Sequence, residues 1–275
     1  MRHATAVRTK PDPELTAPEF PPDVEWLNVP FLRIDRELGR HAVLVEFWDF
    51  ARINSLRTLP YLKGWHARYA ELGLRVVGVH SPGYSFGRSR ALVAESVARL
   101  EIAYPVALDP DLRVWAEYGN RGWPGRYLFD RRGYMRHIHY GEGGYRESEE
   151  AIQELLLEID PELELPPPLD PLRPEDVPGV LLEPQTADVE LPQQRERLEL
   201  VRDWTSGEDH IEAADAGAAA SVPFRAGGAW AVLSGAGVEP GLYETDGSVV
   251  AESPGLRLHG FQFTPLPPAG LAGPG

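Results

Sequence analysis

The chain has 275 residues, 43% of them hydrophobic, and a formal net charge of −15. That length suits one large or two small domains with an ample core, and the acidity argues against nucleic acid and anionic membrane surfaces, both of which need Lys and Arg. It contains no cysteine, which excludes disulfides, cysteine–zinc sites and thiolate nucleophiles and leaves only His, Asp and Glu to hold a metal.

No apolar run approaches the roughly 20 residues that a membrane helix needs. The N-terminal stretch MRHATAVRTKPDPEL is basic without an apolar core, so no secretory signal is expected and the expected compartment is the cytoplasm. Residues 1–22, rich in proline and charge, read as a flexible arm. Glu25–Asn28 and Phe31–Ile34 alternate in polarity like an N-terminal hairpin, and Asp35–Arg40 makes the turn that follows. Ala42 to Trp48 is an apolar run with Glu46 embedded in it, which predicts a buried strand. After a short polar elbow, Leu56, Leu59, Leu62 and Trp65 recur at spacings of three, one face of a helix. That helix is predicted from about Asn54 to Leu72, with Gly73 as its C-cap. Leu74–His80 is nearly continuous in apolar residues, as in a parallel strand covered on both faces. Ser81–Phe86 reads as a loop, Arg88–Leu100 as a helix, Tyr104–Leu108 as a third strand, and Asp109–Gly119 as a turn with a short helix. Gly122-Trp123-Pro124-Gly125 leads into the strand RYLFD, Arg131-Arg132-Gly133 turns the chain into Tyr134–Tyr140, and Glu147–Ile159 is a closing helix.

The prolines of Ile159–Pro178 deny that stretch helix and sheet, and residues 161–179 read as a linker. Beyond it the short apolar runs Ala219–Phe224, Gly228–Leu233, Gly241–Thr245, Ser248–Ala251 and Leu256–Phe263 are broken by Gly, Pro and Asp-Gly. Residues 180–267 therefore predict a small antiparallel β sandwich, with a hairpin at Asp246-Gly247. Residues 268–275 read as a disordered tail. There is no internal repeat, phosphate-binding loop, dinucleotide glycine pattern, nucleophile elbow or His-Glu-x-x-His motif.

The strand with its embedded acid Glu46, the pair Phe47–Trp48 and the helix that follows resemble thioredoxin, with Arg52 and Ser55 standing where the two cysteines of Cys-x-x-Cys would be. The stretch FWDFARINSLRTLPYL resembles the thioredoxin-like (redoxin, AhpC/TSA-type and TlpA-like) domains of DipZ-type and NHL-repeat-associated proteins, which carry Cys-Ile-Asn-Cys there. GWPGRYLFD and HYGEGGY match in the same order, so the resemblance spans a little over half the chain. It implies an α/β thioredoxin-like fold over residues 23–160, a central mixed sheet flanked by helices, with Pro124 in the cis form facing the active-site helix. It also implies a C-terminal β domain like carbohydrate-binding modules, with carbohydrate as its partner.

Thioredoxin chemistry needs a thiolate at a helix N-terminus and a second thiol to resolve the mixed disulfide. With Arg52 and Ser55 in those places, cysteine-based oxidoreductase and peroxidase activities are predicted absent and no catalytic residue or cofactor is assigned. The elbow still offers helix N–H groups and a positive dipole end. Arg52, Asn54, Ser55 and Arg57, closed over by Trp123 and Pro124, are thus candidates to bind a small anion or an extended peptide. The plainer reading has Ser55 capping the helix and Arg52 in solvent. Glu46 is either a proton donor or half of an internal ion pair, with Arg52 as the suggested partner. His137, His139 and Glu142 are more consistent with fixing a turn than with a metal site, and no metal is assigned. His80, Tyr84 and Phe86 are candidate lining residues. Three functions follow: a redox-inactive binding protein, an enzyme of non-thiol chemistry using Glu46, Arg52, His80 or His139, or the thiol-disulfide and antioxidant activity that the family label implies.

Overall fold

The computed structural model describes residues 15–266, which divide into two compact units. Residues 15–49, 54–83 and 87–171 form the first, and residues 50–53, 84–86 and 172–266 the second. The segment read as a tail, and residues 1–14 of the segment read as an arm, lie outside the described residues.

The first unit is built on a six-stranded mixed sheet. Its elements in chain order are β1 (Glu25–Leu27), α1 (Ile34–Glu37), β2 (Ala42–Trp48), α2 (Ile53–Tyr69, whose first residue is assigned to the second unit), β3 (Leu74–His80), α3 (Arg90–Arg99), β4 (Val106–Leu108), α4 (Arg113–Glu117), β5 (Gly125–Phe129), β6 (Met135–Tyr140) and α5 (Tyr145–Ile159). The strand order is β1-β4-β3-β2-β5-β6, with β2, β3 and β4 parallel and the other pairings antiparallel. This is a thioredoxin-like arrangement. All seven residues of β2 are buried, because the strand lies inside the sheet with both faces covered. Val43, Val45 and Phe47 enter one core with Val77, Val79, Ala107, Tyr127 and Phe129. Leu44, Glu46 and Trp48 alternate onto the other face.

Two local expectations are corrected. Glu25–Asn28 and Phe31–Ile34 do not form a hairpin: β1 pairs instead with β4, Trp26 opposite Ala107, and Ile34 begins a short helix. The polarity alternation was genuine for β1, but its partner lies some eighty residues away. The N-terminal segment is docked over residues 15–20, where Thr16 bridges Tyr134 and Phe20 is buried against Trp26 and Tyr118. Gly73 does terminate the helical segment, in the left-handed conformation at φ 110°. The Trp123–Pro124 peptide bond is cis. Part of the proline-rich stretch after α5 packs on this unit: Glu149 accepts the Leu169 N–H at 2.8 Å, and the Pro166 and Pro167 carbonyls accept from Gln153 and Arg68.

The second unit holds β7 (Val189–Glu190), β8 (Glu199–Val201), β9 (Trp204–Ser206), β10 (Ile211–Ala213), β11 (Ala219–Ser221), β12 (Gly228–Gly235), β13 (Val238–Thr245), β14 (Ser248–Val250) and β15 (Arg257–Thr264). One antiparallel sheet runs β13-β12-β15-β10-β9, with β7 also on β15; a second runs β14-β11-β8. Residues of both sheets, among them Ala220, Val249, Ala231, Leu258, Phe261 and Phe263, share one core, so the strands form a sandwich. The hairpin expected at Asp246-Gly247 is corrected. β13 pairs with β12 and β14 with β11, so Asp246-Gly247 carries the chain from one sheet to the other. Gly247 is at φ 92°, and a Cβ there would meet Phe224 and the Val222 carbonyl at under 3 Å. The hairpin turn is at Ala236-Gly237, where both residues have positive φ. No helix among the described residues is long and apolar enough to cross a membrane.

Candidate functional site

In the first unit, β2 delivers Asp49 to the sheet edge. The Ser55 hydroxyl accepts the Asp49 N–H at 3.3 Å and is buried, so it ties strand end to helix rather than capping the first turn of α2, the role expected of it. Asp49 Oδ2 in turn accepts the Gly83 N–H at 2.7 Å. Arg57 donates to Glu142 at 2.6 Å, so the HYGEGGY loop holds this guanidinium. Trp123 packs on Trp115 at 4.5 Å between ring centroids and donates its indole N–H to the Ser81 carbonyl at 2.8 Å. Among the described residues the buried Asn54 amide oxygen has no hydrogen-bond partner, while the Asn54 carbonyl accepts from Thr58.

The buried acid has a different partner from the one suggested. Glu46 pairs with Arg126, not Arg52: Arg126 Nε donates to its carboxylate at 3.0 Å, and both side chains are at most 1% exposed. The register explains this, since Glu46 and Arg126 are directly opposite on β2 and β5. Arg126 also donates to Ser148 and lies over the rings of Trp65 and Tyr145, at 4.9 and 5.5 Å. Burial raises the Glu46 carboxyl above its ordinary range, and the Arg126 charge opposes that rise. His137 bonds Ser148, while His139 bonds the Glu142 carbonyl and is pushed down to about 3, first by burial and then by Arg126. These two histidines serve the turn and the core.

Arg52 belongs to the second unit, and its side chain is neither in solvent nor next to Glu46. Its guanidinium forms an ion pair with Glu190 of β7 and lies 4.6 Å over the Tyr84 ring, whose hydroxyl donates to the other Glu190 oxygen at 3.3 Å. Gln262 of β15, 1% exposed, completes the cluster. Its Oε1 accepts the Ile53 N–H at 2.7 Å, and its Nε2 donates to the Ala51 carbonyl at 2.9 Å and to the Tyr84 hydroxyl at 3.2 Å. The side-chain amide thus satisfies the first N–H of α2, which the helix leaves unpaired. Asp188 lies nearby; burial pushes its carboxyl up to about 6 against the Phe263 N–H and the Arg52 charge.

Of the predicted site residues, Arg52 has Glu190 and Tyr84 as partners, Arg57 has Glu142, Trp123 has Ser81 and Trp115, and the Pro124 carbonyl accepts the Gly141 N–H. Tyr84 was legible as a lining residue. Glu190 and Gln262 were not, because nothing local in either segment marks it as a partner of a residue more than a hundred positions away.

No protein-family model matches the chain. Over 173 residues it is 40% identical to protein DipZ of Mycobacterium tuberculosis (strain CDC 1551 / Oshkosh), a match covering 62% of this chain and 25% of that one. The chain thus spans about a quarter of the length of DipZ. Over 151 residues it is 26% identical to the thiol-disulfide oxidoreductase YkuV of Bacillus subtilis (strain 168), covering 55% of this chain and 97% of that one. A solved structure described as a thioredoxin-like protein in the oxidized form matches with 26% identity and a TM-score of 0.46, over 55% of this chain and 97% of that one. The chain has thioredoxin-like homologues over about half its length, the sheet of its first unit has a thioredoxin-like arrangement, and it has no cysteine.

Proposed function

We propose that this protein is a redox-inactive thioredoxin-like binding protein whose elbow takes carboxylate and amide groups, as a small anion or an extended peptide would present them. The observation that carries the reading is the pair Arg52 and Ser55 in a chain without a cysteine. A guanidinium and a hydroxyl cannot exchange disulfides, so the activity named for YkuV has no nucleophile here. The chemistry that the elbow accepts is displayed by its resident groups. Glu190 places a carboxylate on Arg52, and Gln262 places an amide across the Ala51 carbonyl and the Ile53 N–H. That amide supplies one donor and one acceptor, as one peptide unit of an extended ligand does. A ligand with the same groups competes for the same partners.

Two measurements test this. A disulfide reductase assay is expected to show no turnover above the blank; turnover would sink the reading. Thermal-shift titration of Glu190→Ala with succinate and with a glutamate-containing peptide is expected to raise stability, by about 2.7 kcal/mol at a hundredfold excess over Kd. No shift, or a shift that survives the further change Arg52→Ala, overturns the elbow as the binding site.

One observation favours the enzyme reading as a second. A cavity of about 170 Å³ in the first unit is lined by His80, Arg88, Arg90, Asp109 and Arg113 among others. His80 Nε2 lies 3.6 Å from Asp49 Oδ1, with both side chains nearly fully buried. An imidazole near a carboxylate and beside a cavity is a pairing that proton transfer can use. Soaking with small phosphorylated and carboxylated compounds, followed by crystallography, discriminates the readings by which site fills.

A further inference from the structure

We propose that Asp209, His210 and His259 form a binding site for a divalent transition metal of the zinc type. The three come from two places in the second unit: Asp209 and His210 from the turn between β9 and β10, His259 from β15. One ligand atom from each lies within 4.8 Å of the others. Asp209 Oδ1 is 3.1 Å from His210 Nδ1 and 3.4 Å from His259 Nδ1. Nitrogen and oxygen ligands sit about 2.0–2.1 Å from zinc, so the edge of a tetrahedral shell measures about 3.3–3.4 Å. The two observed separations are close to that edge.

The surrounding contacts orient these atoms as outer-shell partners do. The Ser234 hydroxyl lies 2.8 Å from His259 Nε2. A bound ion requires the tautomer in which Nε2–H donates to that oxygen and the Nδ1 lone pair faces Asp209, whereas the ion-free contacts suit Nδ1–H donating to the Asp209 carbonyl. The Ser85 N–H holds the far carboxylate oxygen of Asp209 at 2.6 Å, which leaves Oδ1 for the ion. His259 is buried against the rings of Tyr84 and Phe86, at 5.4 and 5.0 Å between centroids. The Asp209 and His210 side chains keep 22% and 16% of their surface exposed, so the ion has an approach and a fourth position remains for water or a ligand. Glu212, 3.9 Å from His210 Nε2, is engaged by Arg257 and need not take part. Two imidazoles and one carboxylate suit zinc, cobalt or nickel rather than magnesium or calcium. Without an ion the same atoms close a hydrogen-bond cluster, in which His259 Nδ1 lies 3.0 Å from the Asp209 carbonyl.

The experiment uses the full, untagged chain stripped with a chelator and titrated with cobalt(II), then zinc. One equivalent of cobalt is expected to produce the visible bands of a four-coordinate ion, and zinc is expected to bleach them. Asp209→Asn and His210→Ala, both at partly exposed positions, are expected to abolish the bands while the far-UV spectrum is unchanged. His41→Ala, in the first unit, is expected to leave them intact. Ser234→Ala, which touches no metal, is expected to weaken binding about 10–100-fold by releasing the His259 ring. Absence of stoichiometric binding, or binding that survives both ligand substitutions, overturns the site and leaves the cluster as a hydrogen-bond network.

Discussion

Replacing Arg126 with Met tests the internal logic of the thioredoxin-like unit. Glu46 and Arg126 are both essentially inaccessible, and they meet at 3.0 Å across adjacent strands. Removing one member of such a pair costs about 3–5 kcal/mol, because the remaining charge is buried without compensation. For a unit of this size each kcal/mol corresponds to about 2–4 °C, so the midpoint should fall by about 6–20 °C. The double change Glu46→Leu with Arg126→Met removes both charges and is expected to regain most of that loss, since apolar replacement of a buried pair is often neutral or stabilising. Urea unfolding followed by tryptophan fluorescence reads this directly, because Trp65 lies under the guanidinium. The pH dependence sharpens the test. Burial raises the Glu46 carboxyl in the folded state, so the folded chain holds that proton more tightly than the unfolded chain. Stability tied to this group is therefore complete below the unfolded value and lost as pH rises through the raised one. Arg126 opposes the rise, so the cost of losing it should be larger at pH 8 than at pH 5. Additive single changes, or a cost independent of pH, would refute the reasoning.

Three further outcomes are expected. His139 is held neutral down to about pH 3 in the fold while an ordinary imidazole titrates near 6.5. Stability is therefore lost as pH falls from about 6.5 toward 3, and His139→Gln should flatten that limb in denaturation midpoints measured at pH 7 and pH 5. Gly260→Ala would place a Cβ 2.3 Å from the Val189 carbonyl, a backbone atom that cannot swing aside. It should destabilise the second unit by about 1–3 kcal/mol in calorimetry and raise hydrogen exchange in β7. Gln262→Leu strips the buried Ile53 N–H of its acceptor and removes a donor from the Ala51 carbonyl, and a loss of about 1–3 kcal/mol should follow in the same scan, with early exchange at Ile53.

What could be read from the sequence was whatever depends on neighbours along the chain. The six apolar residues of β2, the leucine spacing of α2 and the glycine after it each carry their own instruction, and each element formed within a few residues of its expected bounds. Errors arose where pairing is long-range. β1 has the alternation of a hairpin strand, yet register and hydrogen bonding to β4 decide its place. Asp-Gly favours a tight turn, but it is also what a sharp crossing between two sheets requires, and local sequence does not distinguish the two uses. β7 to β10 are two or three residues long, too short for a period to show, so they left no signal before the folded chain displayed them. The same limit hid the candidate site: Glu190, Gln262 and the Asp209–His210–His259 cluster are assembled by sheet packing.

The elbow shows what an arginine at the head of this helix demands. The residue before the first turn of a helix sits at the positive end of the dipole, which favours an anion such as a thiolate. An arginine there has the wrong sign, and near burial denies it the solvent that would otherwise screen it. The substitution is tolerable only with a carboxylate in reach and an acceptor for the first helical N–H. Glu190 supplies the first and the Gln262 amide the second, while the Tyr84 ring takes the guanidinium face. Ser55 shows the opposite case. Its hydroxyl is small and finds a partner within six residues, the Asp49 N–H. Ser55 is thus held by a neighbour in sequence and Arg52 by residues far along the chain, and any ligand of this elbow must contend with the groups already there.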